Sequence, residues 1–166
     1  MANQRAQIVM TDDEISQFLT QQRSSTVATI GPSGKVHLVA MWYAWLDGQV
    51  WIETKAKSQK VANLRRDPSM SFLVEAGDTY DQLRGVAMEG NAVVVEDEAV
   101  VWDVCVNIFE RYNAPYTDEL KPFVELMAHN RVAVRLDVDR VRSWDHRKLG
   151  LDPIALGGST ADSVRR

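Results

Sequence analysis

The chain has 166 residues, 45% of them hydrophobic, and carries 19 Lys and Arg against 23 Asp and Glu for a formal net charge of −4. That length suits one well-buried domain, and the mild acidity excludes the chain-wide basic field that holds a nucleic-acid backbone or an anionic membrane surface. A single cysteine excludes an internal disulfide, the three histidines stand at no zinc spacing, and no run reaches the roughly 20 apolar residues that span a bilayer, so a cytoplasmic protein without metal or membrane span is expected.

In chain order, "MANQRAQIVMTDDE" lacks the apolar core of a signal peptide. Thr11 stands three residues before Glu14 in a capping-box pattern, and Ile15, Phe18 and Leu19 follow at helical spacing, which predicts a first helix over about 12–22. "STVATIG", "VHLVAMWYAW" and "VWIET", separated by the turn sequences "PSGK" and "LDGQ", predict an antiparallel meander of three strands. Alternation in the second strand puts His37, Val39, Met41 and Tyr43 on one side and Val36, Leu38, Ala40, Trp42 and Ala44 on the other, with neither side mainly polar. A strand apolar on both faces implies either a barrel with a partner subunit or flat ligand outside it, or a central strand covered by a helix of the same chain.

"MSFLVEA" and "GVAMEGNAVVVED" continue the sheet, with Gly90 allowing a bend or bulge. "EAVVWDVCVNIFERYN" has a wide helical stripe, a second helix is expected over about 117–129, and "RVAVRLDVDRVRSWD" alternates as a closing strand. Residues 1–150 thus read as one domain, and the Gly-, Ser- and Asp-rich segment 151–166 as a flexible tail.

Residues 51–68, "WIETKAKSQKVANLRRDP", concentrate five basic side chains where a strand runs into a helix. Ser58 is a good N-cap for a helix that must end before Pro68. The strand therefore delivers Thr54, Lys55, Lys57 and Lys60 to the amino end of a helix, where free N–H groups and the helix dipole already favour an anion. That is the geometry of a phosphate site; the plainer alternative is a solvated helix face, and Arg65 and Arg66 are explained by the helix's negative end alone. The chain carries no G-x-G-x-x-G, P-loop, H-E-x-x-H or G-x-S-x-G sequence. His37 reads as a structural mid-strand residue, Glu96, Asp97 and Glu98 as a helix start, and the five Trp as core or interface surface.

The order and spacing of "VATIGPSGKVHLVAMWYAW" and "VWIETKAKSQKVANLRRDPSMSFLVE" resemble the pyridoxamine 5′-phosphate oxidase-like superfamily of FMN-binding split β-barrels, and within it the actinobacterial branch that uses the deazaflavin coenzyme F-420. The resemblance implies a mainly β, α+β fold: a six-stranded antiparallel split barrel with peripheral helices, forming a homodimer with the cofactor at its interface. It implies a ring lying along Val39, Ala40, Met41 and Trp42, and a phosphate at Thr54, Lys55, Lys57, Ser58 and Lys60. The implied activity is a flavin- or deazaflavin-dependent oxidoreductase, transferring a hydride from reduced coenzyme F-420 to an unsaturated or quinone-like small molecule. The alternatives are an FMN-dependent oxidoreductase or flavin reductase, and a non-catalytic flavin, deazaflavin or haem binding protein. Gln59 stands where FMN-binding relatives commonly place an arginine, which favours the deazaflavin. The end "VRSWDHRKLG" lacks the Arg-x-His-x-Arg segment of true pyridoxamine phosphate oxidases and argues against vitamin B6 oxidation. No acid or base is assigned; Tyr43 and His37 are the residues to inspect, and the roles of Trp144, Arg147 and Lys148 are open.

Overall fold

Local sequence signals produce the first elements. In the computed structural model, which describes residues 4–157, a short helix α1 (Gln4–Gln7) precedes α2 (Asp12–Gln21). The Thr11 hydroxyl accepts from the Glu14 N–H and the Glu14 carboxylate accepts from the Thr11 N–H, so the expected capping box closes. Strands β1 (Ser25–Ile30) and β2 (Val36–Met41) pair in register from Ser25↔Met41 to Ile30↔Val36. After Trp42 and Tyr43 the chain resumes as β3 (Ala44–Leu46), turns at Asp47 and Gly48, both at positive φ, and returns as β4 (Gln49–Lys55). Then follow α3 (Gln59–Arg66), β5 (Ser69–Ala76), β6 (Arg84–Val95), α4 (Glu98–Tyr112), α5 (Lys121–Ala128) and β7 (Arg131–Asp145).

The strands form one antiparallel sheet in the order β2-β1-β5-β6-β7-β4-β3. Its two edge strands, β2 and β3, are consecutive in the chain. Only Trp42 and Tyr43 lie between them, so Met41 and Ala44 cannot be more than about 11 Å apart and the sheet must curl until its edges approach. The result is the expected α+β split barrel. It counts seven strands by pairing, and six if β2 and β3 are taken as one bent strand. This corrects the three-strand meander: β2 pairs with β1 and β3 with β4, because the chain turns a corner at Trp42–Tyr43 and drives Tyr43 into the core.

Inward-facing residues fill the barrel, among them Val27, Tyr43, Ile52, Phe72, Val86 and Leu136, with Phe18 and Leu19 of α2 and Val61 and Leu64 of α3 closing its ends. A second apolar cluster lies outside it, where Val101, Val104, Cys105 and Ile108 of α4 pack on Ala44, Ala133 and Val124. The outer faces of β3, β4 and the start of β7 are thus covered by helix. β2 differs: Val39 and Met41 pack toward the core, while Val36, Leu38 and Trp42 on its outer face are 60%, 62% and 52% exposed. Of the two explanations for a two-sided apolar strand, a same-chain helix accounts for β3 and β4 but leaves the outer face of β2 free. Of the tail expected from residue 151, Leu151–Gly157 is irregular and mostly exposed, and 158–166 lie outside the described residues.

β6 and β7 are long, and their register shifts at Glu89/Gly90, where the expected bulge occurs. A Cβ on Gly90 would lie 2.1 Å from the Asp137 carbonyl oxygen. That clash is with backbone and no rotamer relieves it, so Gly90→Ala should destabilise the fold by about 1–3 kcal/mol, read as a lowered urea midpoint at unchanged slope.

Candidate functional site

The β4-to-α3 corner is built as its sequence requires. Ser58 caps α3, its hydroxyl accepting from the Val61 N–H at 3.4 Å, and the Ser58 N–H donates to the Lys55 carbonyl at 2.9 Å, which makes the turn tight. Thr54 is buried and its hydroxyl donates to Ser58 Oγ at 3.3 Å, so its role within the chain is to hold the capping residue. Lys55 and Lys57 are exposed, Lys60 is half-buried, and among the described residues none of the three forms an ion pair.

Beneath the corner, Glu53 is bridged to Arg131 across the β4–β7 ladder. Burial pushes the Glu53 carboxyl up, against the pull of Arg131. Burial likewise pushes the Lys60 ammonium down, with Glu53 opposing and Arg131 adding to that shift. Lys60 is therefore a partly desolvated cation that an incoming anion would stabilise.

The second half of the site lies across the split. The β3–β4 ladder ends at Ala44↔Trp51; continuing it would set Trp42 against Glu53 and Ala40 against Lys55, but β2 leaves to pair with β1. Val39–Trp42 and Glu53–Lys55 thus flank one opening, and β2 has no ladder partner on its second side among the described residues. Of the residues expected from the sequence, Val39, Ala40 and Met41 lie on the edge strand β2 with Trp42 just beyond it, and Thr54, Lys55, Lys57, Ser58 and Lys60 lie at the β4-to-α3 corner. Ala40 and Trp42 are exposed, whereas Val39 and Met41 are half-buried against the barrel core.

Gln59 turns away from the corner and donates to the Asn63 side-chain oxygen at 2.8 Å; Asn63 in turn donates to Thr29 Oγ1 at 2.9 Å, fixing α3 on β1. Tyr43 is fully buried, donates to the Leu19 carbonyl at 2.6 Å, and is pushed up to about 12 by burial, which leaves it no part as a proton donor at the split. His37 lies on the inner side of β2 with Val39 and Met41. The three C-terminal residues left open are engaged within the chain. Trp144 lies against Gly85, Arg147 binds Asp145, and Lys148 reaches Glu14 and the Val9 carbonyl.

Sequence reading missed Tyr112, whose ring stacks on Trp42 at 4.3 Å between centroids. Its position continues the apolar stripe of α4, one turn after Ile108, but nothing local shows that this end of the helix meets Trp42, 70 residues away in the chain. It also missed a cleft of about 560 Å³ lined by Ala56, Trp102, Arg131 and the carboxylates Glu96, Glu98 and Glu125. Arg65 and His129 also line it, so the cleft has mixed charge and reaches the β4-to-α3 corner at Ala56.

A curled antiparallel sheet split along one seam, with helices packed on it, defines a split β-barrel. The family model for pyridoxamine 5′-phosphate oxidase matches residues 11–145, and the chain belongs to that family. Its structure is similar to a conserved hypothetical protein from Mycobacterium tuberculosis, with 58% identity over 95% of this chain and 98% of that one and a TM-score of 0.92. It is also similar to a putative 5-nitroimidazole antibiotic resistance protein from Bacteroides thetaiotaomicron (15% identity, 82% and 84% covered, TM-score 0.67). An F-420 reductase shares the fold at 22% identity, with 76% of this chain and 94% of that one covered and a TM-score of 0.60. No curated protein matches the chain at a significant level.

The depressed Lys60 gives the corner a proton signature. An anion raises the Lys60 pKa, so the complex holds more protons than the free protein between the depressed value and the higher value in the complex. Titration with a phosphate-bearing flavin or deazaflavin in buffers of different ionisation enthalpy should show proton uptake that grows as pH rises into the alkaline range and is small at neutral pH. Uptake independent of pH would separate Lys60 from the ligand.

Proposed function

We propose that the chain is a homodimeric, deazaflavin-dependent oxidoreductase that moves a hydride from reduced coenzyme F-420 to an unsaturated or quinone-like small molecule. The observation that supports this reading is the pairing of two features at the split: an apolar edge strand, β2, with no second ladder partner among the described residues, and the lysine-rich, Ser58-capped amino end of α3 that follows β4. A planar ring suits the first and an anion the second. When bound, the reduced deazaflavin supplies the hydride. The chain's own residues bind and orient: Lys55, Lys57 and Lys60 meet negative charge, the Ser58 hydroxyl and the first N–H groups of α3 donate to a phosphate, and Ala40 and Trp42 flank the ring. Cations spread along the corner suit the deazaflavin's extended acidic tail, and Gln59, committed to Asn63, adds no charge beside the phosphate.

An FMN-dependent oxidoreductase is the competing reading, favoured by membership of the pyridoxamine 5′-phosphate oxidase family and by a capped helix start that suits a terminal phosphate. Parallel fluorescence titrations with coenzyme F-420 and FMN at fixed low salt separate the two: tight binding of the first with little response to the second supports the proposal, and the reverse order moves the protein to FMN chemistry. Lys60→Ala should weaken the preferred cofactor while changing unfolding stability by no more than about 0.5 kcal/mol. Equal binding by wild type and variant would remove Lys60 from the site.

The homodimer places a second copy against the free outer face of β2. Val36, Leu38 and Trp42 form an apolar strip on an edge strand, a surface that monomeric proteins rarely leave open. Leu38→Asp should convert a dimer to a monomer in sedimentation analysis with the barrel still folded; a wild-type monomer, or a variant that stays dimeric, would place the interface elsewhere.

A further inference from the structure

Trp42 is half exposed, yet it is held more firmly than an exposed side chain needs to be. Its indole lies on the Tyr112 ring with 4.3 Å between centroids and 10° between planes. Tyr112 is itself fixed: its hydroxyl donates to the Arg23 carbonyl at 2.6 Å and accepts from the Tyr43 N–H at 3.1 Å. One residue from the last turn of α4 thus touches both the side chain of Trp42 and the backbone of its neighbour, at the corner where β2 parts from β3. The preceding residue completes the lock. Arg111 lies 4.5 Å over the Tyr43 ring and donates to the Leu19 and Gln22 carbonyls at the end of α2.

One face of the indole is therefore covered and the rest of it stays open, with a residue exposure of 52%. A tryptophan serving the core alone would be buried; this one is an aromatic surface immobilised before anything binds, which removes the rotamer entropy a ligand would otherwise have to overcome. We infer that Tyr112 is a positioning residue that holds Trp42 as a preformed stacking platform for the planar conjugated ring of the ligand bound in the split. The inference rests on the flavin or deazaflavin reading above and adds to it a residue of α4, far from the β2 and β4–α3 segments. It assigns Tyr112 to the ring end of the ligand and leaves the phosphate end to the lysine corner.

The test is an equilibrium titration of the full-length protein with coenzyme F-420 and with FMN, comparing wild type with Tyr112→Phe, Tyr112→Leu, Trp42→Leu and the double Leu variant, each checked for its thermal midpoint. For whichever cofactor the wild type binds, Tyr112→Leu and Trp42→Leu should each raise Kd by about 3- to 10-fold, the worth of an aromatic stack. Tyr112→Phe, which keeps the ring but loses the hydroxyl that fixes it, should fall between wild type and Tyr112→Leu, and the double variant should bind no worse than Trp42→Leu alone, because Tyr112 acts only through Trp42. Wild-type affinity in Tyr112→Leu, or losses that add in the double variant, would overturn the positioning role. Trp42 is exposed and its substitution spares the core, so wild-type affinity in Trp42→Leu overturns the platform even if Tyr112→Leu does not fold. A wild type that binds neither cofactor defeats the functional reading itself, and that result comes before any variant is compared.

Discussion

The closure of the sheet through two residues is the constraint on which the rest depends. Because Trp42 and Tyr43 alone connect the two edge strands, the sheet has to bend round on itself, and the strand that links its edges cannot pair fully with both neighbours. Tyr43 enters the core and anchors the corner through the Leu19 carbonyl, while Trp42 is left outside. The split between β2 and β4 is the geometric remainder of that closure. It exposes a strand edge that an ordinary closed barrel would have consumed in hydrogen bonds.

Electrostatics complete the site at low cost. A chain of net negative charge gathers lysines at one helix start, where capping by Ser58 and the dipole of α3 already orient positive potential outward. The partly buried Glu53–Arg131 pair beneath it sets the local field without neutralising the exposed Lys55 and Lys57. The Arg65–Glu96 bridge at the other end of α3 is exposed at both partners and contributes little to stability, consistent with a solvated surface pair. The same helix thus has a terminus suited to an anion and a terminus that is simply soluble.

The fold alone does not choose a chemistry, since one architecture hosts many. Membership of the pyridoxamine 5′-phosphate oxidase family places the chain among proteins that include binders of FMN-type flavins. At the C-terminal end, Trp144, Arg147 and Lys148 lie against Gly85, Asp145 and Glu14 of their own chain. The features of this chain that bear on a ligand are the lysines at the β4-to-α3 corner and the stacked Trp42 and Tyr112 at the β2–β3 corner.

Much was legible in the sequence because it is written in short range. The capping box at Thr11, the N-cap at Ser58, the stop before Pro68, the Asp-Gly turn and the bulge at Gly90 all depend on residues within a few positions of one another, and each stands where it was read. The lysine corner was legible for the same reason. Alternation correctly revealed that the second strand is apolar on both sides, but not that it breaks at Trp42, because the break is imposed by closure against strands far away in the chain. Nor could it divide the work between covered β3 and uncovered β2, which turns on where α4 packs. The sequence by itself thus determined the elements, the caps and the charged corner, all set by local backbone chemistry. Only the tertiary structure decided that β2 keeps an open edge, that Tyr43 is buried, and that Tyr112 stacks on Trp42, because those depend on residues that only the closing of the barrel brings together.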